Sequence, residues 1–345
     1  METSNLLDWR KWSLHKKNYL NNYQIYLSPE IEGIPRHELF PRMSPHPTLP
    51  DTDLISNLKL TSSLENSDYV LVPHAWRHIK GNANYLAHLH NLSKETPILI
   101  VNSGDVSPRC NLSNTIELRT FLHPWEKIER KIVLPYPVKE KLFKIRKWKP
   151  RPTISFMGYV PKWGPGSFFG ENIQGLTRPI KSSVYLNRKL STHKLEKLTS
   201  DFEVKLTKRS SFTAYSSNPN LKKLVEEYDS ELSHTDYILC PRGAANTSIR
   251  FYESLSAGRT PILVDSGGSL PEIKTKNFWF SNIVTVNLFK NWTKPILDDW
   301  LELSNGNAYE VRQIENNKIF SEELRFEKYL STLFQRYLLT AEQIL

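Results

Sequence analysis

The feature that most restricts the fold of this chain is an alternation of short β-branched and aromatic runs with polar stretches long enough for a helix. In the first half the runs are Gln24-Ile-Tyr-Leu27, Tyr69-Val-Leu-Val72 and Pro97-Ile-Leu-Ile-Val101. Continuous apolar runs of this length suit strands buried on both faces, and helix-length spacers suit the crossovers between parallel strands. The order therefore predicts a parallel sheet. Helices are expected near 53–65, where Asp51 and Asp53 serve as N-caps, and near 81–94, after Gly81-Asn82. The proline-punctuated segment from Pro41 to Pro50 reads as a loop.

The same alternation starts again after a basic stretch. From Lys139 to Arg151 the chain reads KEKLFKIRKWKPR, with seven basic residues against one acidic. A new strand, Thr153-Ile-Ser-Phe-Met157, follows Pro152. Then come a helix near 182–200, a strand Phe202–Leu206, a helix near 220–232, the strand Tyr237-Ile-Leu-Cys240, a helix from about 247, and the strand Pro261-Ile-Leu-Val264. This divides the chain into a first domain at 1–138, a basic linker at 139–152, a second domain at 153–320 and a C-terminal segment at 321–345. The last has apolar residues at helical spacing and reads as one long helix. The fold class is α/β, with two Rossmann-like doubly wound domains facing a cleft. Ligands bind such sheets beyond the carboxyl ends of their strands.

Composition narrows the function. Fifteen Phe, fifteen Tyr and nine Trp in 345 residues supply real cores and exclude a disordered chain. No apolar run approaches the roughly 18 to 20 residues of a membrane span. The first twenty residues mix charge and Trp without an apolar core, so no secretory signal is read and a cytoplasmic location is expected. Cys110 and Cys240 stand alone, in no disulfide-framework, redox or zinc spacing. The formal net charge of +10 favours an anionic partner: nucleic acid, an anionic membrane or a phosphorylated small molecule.

The most informative segment runs from Asp236 to Asp265: strand, glycine loop, helix, strand. Gly243 and two alanines let the backbone approach a ligand, while Asn246 or Thr247 can cap the helix and leave its first N–H groups facing outward, where a diphosphate is attracted. Arg242 before the loop and Arg250 one turn into the helix can add bidentate, charge-assisted contacts to phosphate oxygens. Glu253, three residues on, can accept hydrogen bonds from ribose hydroxyls. Gly258 suits the C′ position of the helix. The plain alternative is an ordinary βαβ unit in which Arg250 and Glu253 form a surface ion pair.

Leu239-Cys-Pro-Arg-Gly, Thr247-Ser248, Arg250-Phe-Tyr-Glu, Leu255-Ser-Ala-Gly and Pro261-Ile-Leu-Val resemble the C-terminal signature of the exostosin-like glycosyltransferases, family 47. Ile154-Ser-Phe-Met-Gly158 is similar to the strand and glycine loop that open the family's second domain. The first half has only a general likeness, in Asp68-Tyr-Val-Leu-Val-Pro73 and the order of elements. The resemblance implies a GT-B glycosyltransferase with two Rossmann domains. It would bind a nucleotide sugar in the C-terminal domain and an acceptor in the N-terminal domain, invert the anomeric centre and need no metal or other cofactor. Asp51-Thr-Asp53 matches a metal-binding triplet of the other major glycosyltransferase fold, but its place before a helix reads as capping.

An inverting transfer needs a base, in-line attack and stabilisation of the departing phosphate charge. The last is assigned to Arg242, Gly243, Arg250 and the helix start at Asn246, Thr247 and Ser248, with Gly158 and Lys162 reaching from the first loop of that domain. The base is expected from the first domain, at the carboxyl end of a strand. Asp105 and His74 qualify, with His78 further from the strand end. Trp163, Phe168 and Phe169 read either as a stacking surface or as a lid anchor, and Trp76 as packing. The basic linker reads as solvated charge or as a peripheral contact with an anionic membrane. Of four Asn-x-Ser/Thr sequons, at Asn91, Asn111, Asn246 and Asn291, the third lies in the phosphate loop, where a glycan would block the site. The expected partners are a nucleotide-sugar donor and a glycan or lipid-linked glycan acceptor, in surface polysaccharide or lipopolysaccharide synthesis. Two alternatives stay open: a basic nucleic-acid-binding protein, for which no motif is found, and a nucleotide-sugar-binding protein without turnover.

Overall fold

Both stretches of alternating runs form parallel sheets in the computed structural model, which describes residues 24–29, 31, 60–102, 110–123, 126, 130–160, 184–209, 220–243, 246–275, 277–330 and 332. Asp51, Asp53, Asp105, Lys162, Trp163, Phe168, Phe169 and the loop at 41–50 lie outside these residues. The chain divides into two compact units. The first comprises the described residues up to 31, the described part of Asp51–Pro135 and, from the far end of the chain, residues from Phe326 on; the second is Tyr136–Arg325.

The first unit holds β1 (Ile25–Leu27), β2 (Leu60–Thr61), β3 (Tyr69–Val72), β4 (Ile98–Val101), β5 (Thr115–Arg119) and β6 (Lys131–Val133). They are all parallel, in the order β2-β1-β3-β4-β5-β6. Between β3 and β4 lie α1 (Trp76–Ile79) and α2 (Ala83–Leu92). Asn82 caps α2 by accepting from the Tyr85 amide at 3.0 Å. Successive residues of a strand face opposite sides of the sheet. Val70, Val72, Ile98 and Ile100 therefore pack with Trp76, Ile79, Tyr85 and Leu89, while Leu71, Leu99 and Val101 pack with Phe326, Tyr329 and Leu330. Trp76 is core, as its sequence context suggested.

The helix expected near 53–65 is corrected where it is described. Leu60–Thr61 is a strand hydrogen-bonded in parallel to β1, and turns follow it. Two residues are too few to announce a strand by periodicity; the edge of the sheet recruits them.

The second unit holds β7 (Thr153–Tyr159), α3 (Val184–Glu196), β8 (Glu203–Arg209), α4 (Leu221–Ser233), β9 (Tyr237–Cys240), α5 (Ile249–Ser256), β10 (Thr260–Val264), α6 (Phe278–Ser281), β11 (Val284–Val286), α7 (Thr293–Glu302) and α8 (Ala308–Ile319). Its sheet runs β11-β10-β9-β7-β8, all parallel. Counted within the unit, this is the doubly wound order 2-1-3-4-5, whose topological switch point falls between the first and third strands, here β7 and β9. One face packs Ile154, Phe156, Leu239 and Ile262 against Leu195, Trp292, Ile296 and Trp300; the other packs Ile238 and Cys240 against Phe251, Leu255, Phe320 and Leu324. Gly258 occupies C′ of α5 at φ 72°, the left-handed conformation its position called for.

The C-terminal segment is not one helix. From α8 the chain passes into a π-helical turn, Phe320–Leu324, closed by the Arg325 amide on the Phe320 carbonyl at 2.6 Å. Arg325 then adopts an extended conformation (ψ 126°), and helix resumes at Phe326. The break allows Phe326, Tyr329 and Leu330 to enter the core of the first unit, where the Tyr329 hydroxyl donates to the Val133 carbonyl at 3.0 Å.

The basic segment 139–152 has neither helix nor strand, and much of its charge is used on the second unit. Lys141 reaches Asp229 (2.8 Å) and Glu253 (3.5 Å), Arg146 reaches Asp236 (2.8 Å), and Lys149 reaches Glu203 (2.9 Å). Asp236, fully buried just before β9, also accepts from the Thr153 amide and the Tyr309 hydroxyl, both at 2.7 Å. It ties the segment, the start of β7 and α8 together.

Candidate functional site

Several of the candidate donor-site residues gather at the carboxyl edge of the second sheet. β7 and β9 pair at Ile154–Tyr237 and Ser155–Ile238. Beyond that point β7 continues beside β8 to Tyr159, and β9 beside β10. The inner strands thus part at the switch point. Two carbonyls two residues apart on β7, Met157 and Tyr159, accept arginine N–H groups there. Arg250 Nε donates to Met157 at 2.9 Å and Arg188 Nη1 to Tyr159 at 3.1 Å. Arg188 Nε donates to the Arg242 carbonyl at 3.0 Å.

Arg250 comes from the second residue of α5. Its guanidinium lies 5.1 Å from the Phe156 ring centre and 6.0 Å from that of Tyr228. A Cβ on Gly158 would come within 2.2 Å of Arg250 Nη2, so the glycine is what admits the guanidinium. Gly158 and Arg250, expected at the site on separate grounds, are brought together.

Arg242 is 3% exposed. Its amide donates to Asn187 Oδ1 at 3.3 Å and its Nε to the Gly243 carbonyl at 3.3 Å. The Gly243 amide donates to the Thr247 carbonyl at 2.7 Å and closes the loop into α5. Asn246 is buried against Gly268, where a Cβ would meet it at 2.8 Å. A glycan has no room there. Ser248, not Asn246 or Thr247, is the N-cap residue, and it makes no side-chain cap; its buried Oγ has no hydrogen-bond partner among the described residues. Cap geometry needs extended backbone followed by helix, and that change falls at Ser248 (φ −125°, ψ 121°). In the first turn of α5 the Phe251 amide donates back to the Ser248 carbonyl at 3.1 Å.

Glu253 pairs with Lys141 of the basic segment at 3.5 Å, and among the described residues it forms no ion pair with Arg250, so the plain alternative of an Arg250–Glu253 pair does not hold.

Sequence reasoning missed Arg188. It lies in the first half of α3 and is 4% exposed, and burial together with the charges of Arg250 and Arg242 pushes its guanidinium pKa down to about 9. No local signal marks it in the sequence: Arg188 is the fifth residue of α3, past the first turn to which the helix dipole reaches.

In the first unit, His74 sits at the carboxyl end of β3 and is fully buried. Its Nε2 accepts from the Ile31 amide at 2.9 Å, and its ring meets Tyr85 edge-on at 6.1 Å. His78 is exposed, and burial, Arg77 and His74 lower its pKa. At the ends of β4 and β5, Arg119 bridges Glu117 (2.9 Å) and Glu126 (3.0 Å), while Asn102, which leads into the stretch containing Asp105, donates to Glu117 at 2.5 Å. Among the described residues no cluster of three or more His, Cys, Asp or Glu is placed to hold a metal ion, and no helix is long and apolar enough to cross a membrane.

Comparison with curated proteins returns no match. Among solved structures, the GtfA/B complex has 7% identity and a TM-score of 0.35 over 80% of this chain and 57% of that one. TarM has 11% identity and a TM-score of 0.31 over 80% and 50%. A glycosyltransferase from Rickettsia africae has 10% identity and a TM-score of 0.35 over 81% and 77%. This chain thus spans little more than half the length of the first two. The RXYLT1 C-terminal domain model matches residues 181–335, from just before α3 to beyond the π turn. Residues 181–335, which comprise most of the second unit and the start of the returning segment, are thus similar to the RXYLT1 C-terminal domain.

Proposed function

We propose that this protein is a glycosyltransferase that moves a hexosyl or pentosyl group from a nucleotide-diphosphate donor to a hydroxyl of a glycan or lipid-linked acceptor, in surface polysaccharide or lipopolysaccharide synthesis. The observation that carries the reading is the convergence of Arg242, Arg250 and the start of α5 on one switch point, where Arg188 joins the ends of the two parting strands. A departing nucleoside diphosphate gathers negative charge, and preorganised guanidiniums and backbone N–H groups aimed at that charge are what its departure requires. Protein cations in this role suit an inverting transfer without a metal. The exostosin-like match over the same unit supports the donor side of the reading. The base is proposed from the first unit. Asp105 is preferred, because Nε2 of His74 is already committed to a backbone amide.

Thermal melting of the purified protein with UDP, GDP, CDP, ADP and dTDP, in EDTA, tests this. One diphosphate is expected to raise the melting temperature selectively without metal. Indifference to all five, with salt-dependent stabilisation by a short oligonucleotide, would replace the reading with the nucleic-acid one.

A further inference from the structure

We propose that Arg188 is the positioning residue of the phosphate crevice: it fixes the gap between two diverging strands and acts on the ligand through Arg242. The proposal rests on the donor-site reading above. Where parallel strands stay paired, carbonyls along the shared edge take amide donors from the neighbour. Between β7 and β9 that ladder stops after Ser155–Ile238, yet β7 runs four residues further, to Tyr159. Arg188 crosses the gap and donates to the carbonyl at the end of β7 and to the carbonyl of Arg242 just past the end of β9. Arg250 makes the corresponding bond one step deeper, on Met157. Asn187, beside Arg188 on α3, accepts from the Arg242 amide. The backbone of Arg242 is therefore gripped on both sides, at N–H and at C=O, by neighbouring residues of one helix, which fixes the point from which its buried side chain departs.

The chemistry requires arginine in particular. Nε and Nη1 are two donors in a rigid plane, so one side chain can bond two carbonyls on different strands at a set separation. An ammonium on a flexible stem keeps the charge without that geometry. Arg188 commits Nε and Nη1 to backbone carbonyls, which makes its contribution one of shape.

Binding of inorganic pyrophosphate, and of whichever nucleoside diphosphate stabilises the wild type best, is measured by calorimetry for the wild type, Arg188→Lys, Arg188→Gln, Arg242→Ala and the Arg188→Lys/Arg242→Ala double variant. Melting of each ligand-free protein is recorded in parallel. Both Arg188 variants are expected to lose about tenfold or more in affinity for either ligand, with lysine no better than glutamine. Their ligand-free melting should stay within about 4 °C of wild type. The double variant should bind little worse than Arg242→Ala alone, because the two residues act as one unit.

Wild-type affinity in Arg188→Lys would overturn the strut and leave the donor site standing. Additive losses in the double variant would also overturn it, because Arg188 would then touch the ligand independently. A fall in ligand-free melting with affinity intact would reduce Arg188 to a stabilising residue. A wild type that binds neither pyrophosphate nor any diphosphate would remove the donor-site reading itself, and this role with it.

Discussion

Gly158 and Arg250 make one site between them, and the consequence can be tested at the level of a single methyl group. In Gly158→Ala the new Cβ would fall 2.2 Å from Arg250 Nη2 and 2.9 Å from its Cζ. The obstacle is the far end of a flexible side chain and Gly158 has ordinary backbone geometry, so Arg250 will swing away at small cost to folding. We expect melting close to wild type with diphosphate affinity reduced about as far as by Arg250→Ala, which should cost roughly 1.5–3 kcal/mol, the value of a charge-assisted hydrogen bond. Calorimetric titration of both variants checks this. Unchanged affinity in Gly158→Ala would separate Arg250 from the ligand. Gly158 and Arg250 were legible in the sequence because glycine after a strand and arginine beside a glycine loop are local signals. Arg188 was not, because its role depends on two carbonyls contributed by different strands, and no sequence spacing records where parallel strands part.

Elements were legible where one local preference decided them. The strands at β3, β4, β9 and β10 are continuous apolar runs, and α5 is bounded by a loop glycine and Gly258. β5 escaped notice because Thr115-Ile-Glu-Leu-Arg119 carries two charges; they are buried in the sheet only because Arg119 and Glu117 neutralise each other at 2.9 Å. β2 and the break at Arg325 are decisions of tertiary packing. Two predictions belong to this scale. Gly258→Ala places a Cβ at φ 72° and within 2.8 Å of the Gln313 carbonyl, so it should destabilise by about 1–3 kcal/mol, visible as an earlier urea midpoint at unchanged slope. Asp236→Ala removes the acceptor shared by Thr153, Arg146 and Tyr309, and leaves a largely buried arginine without its partner. A loss of about 3–5 kcal/mol is expected. Melting within a degree or two of wild type would show that the basic segment is held by other means.

For the whole molecule, the decisive fact is that the chain returns to its first unit after completing the second. Phe326, Tyr329 and Leu330 are each at most 3% exposed and join Leu71, Leu99, Val101 and Leu118 in one core. Burying a side chain of this size contributes about 1.5–3 kcal/mol, so three of them rival the roughly 5–15 kcal/mol by which a domain is stable. The second unit owes them nothing: its cores close on Phe320 and Leu324, before the break. A chain ended after Arg325 should therefore lose the cooperative melting of the first unit while the second keeps its own transition and still responds to the stabilising diphosphate. Melting followed by calorimetry, with limited proteolysis to identify the surviving fragment, reads both outcomes. Survival of a fragment near Tyr136–Arg325 is expected. A single undiminished transition in the shortened chain would mean that the first sheet closes its core without the returning helix. Loss of the diphosphate response along with the first unit would mean that the donor crevice depends on residues outside the unit that contains its arginines.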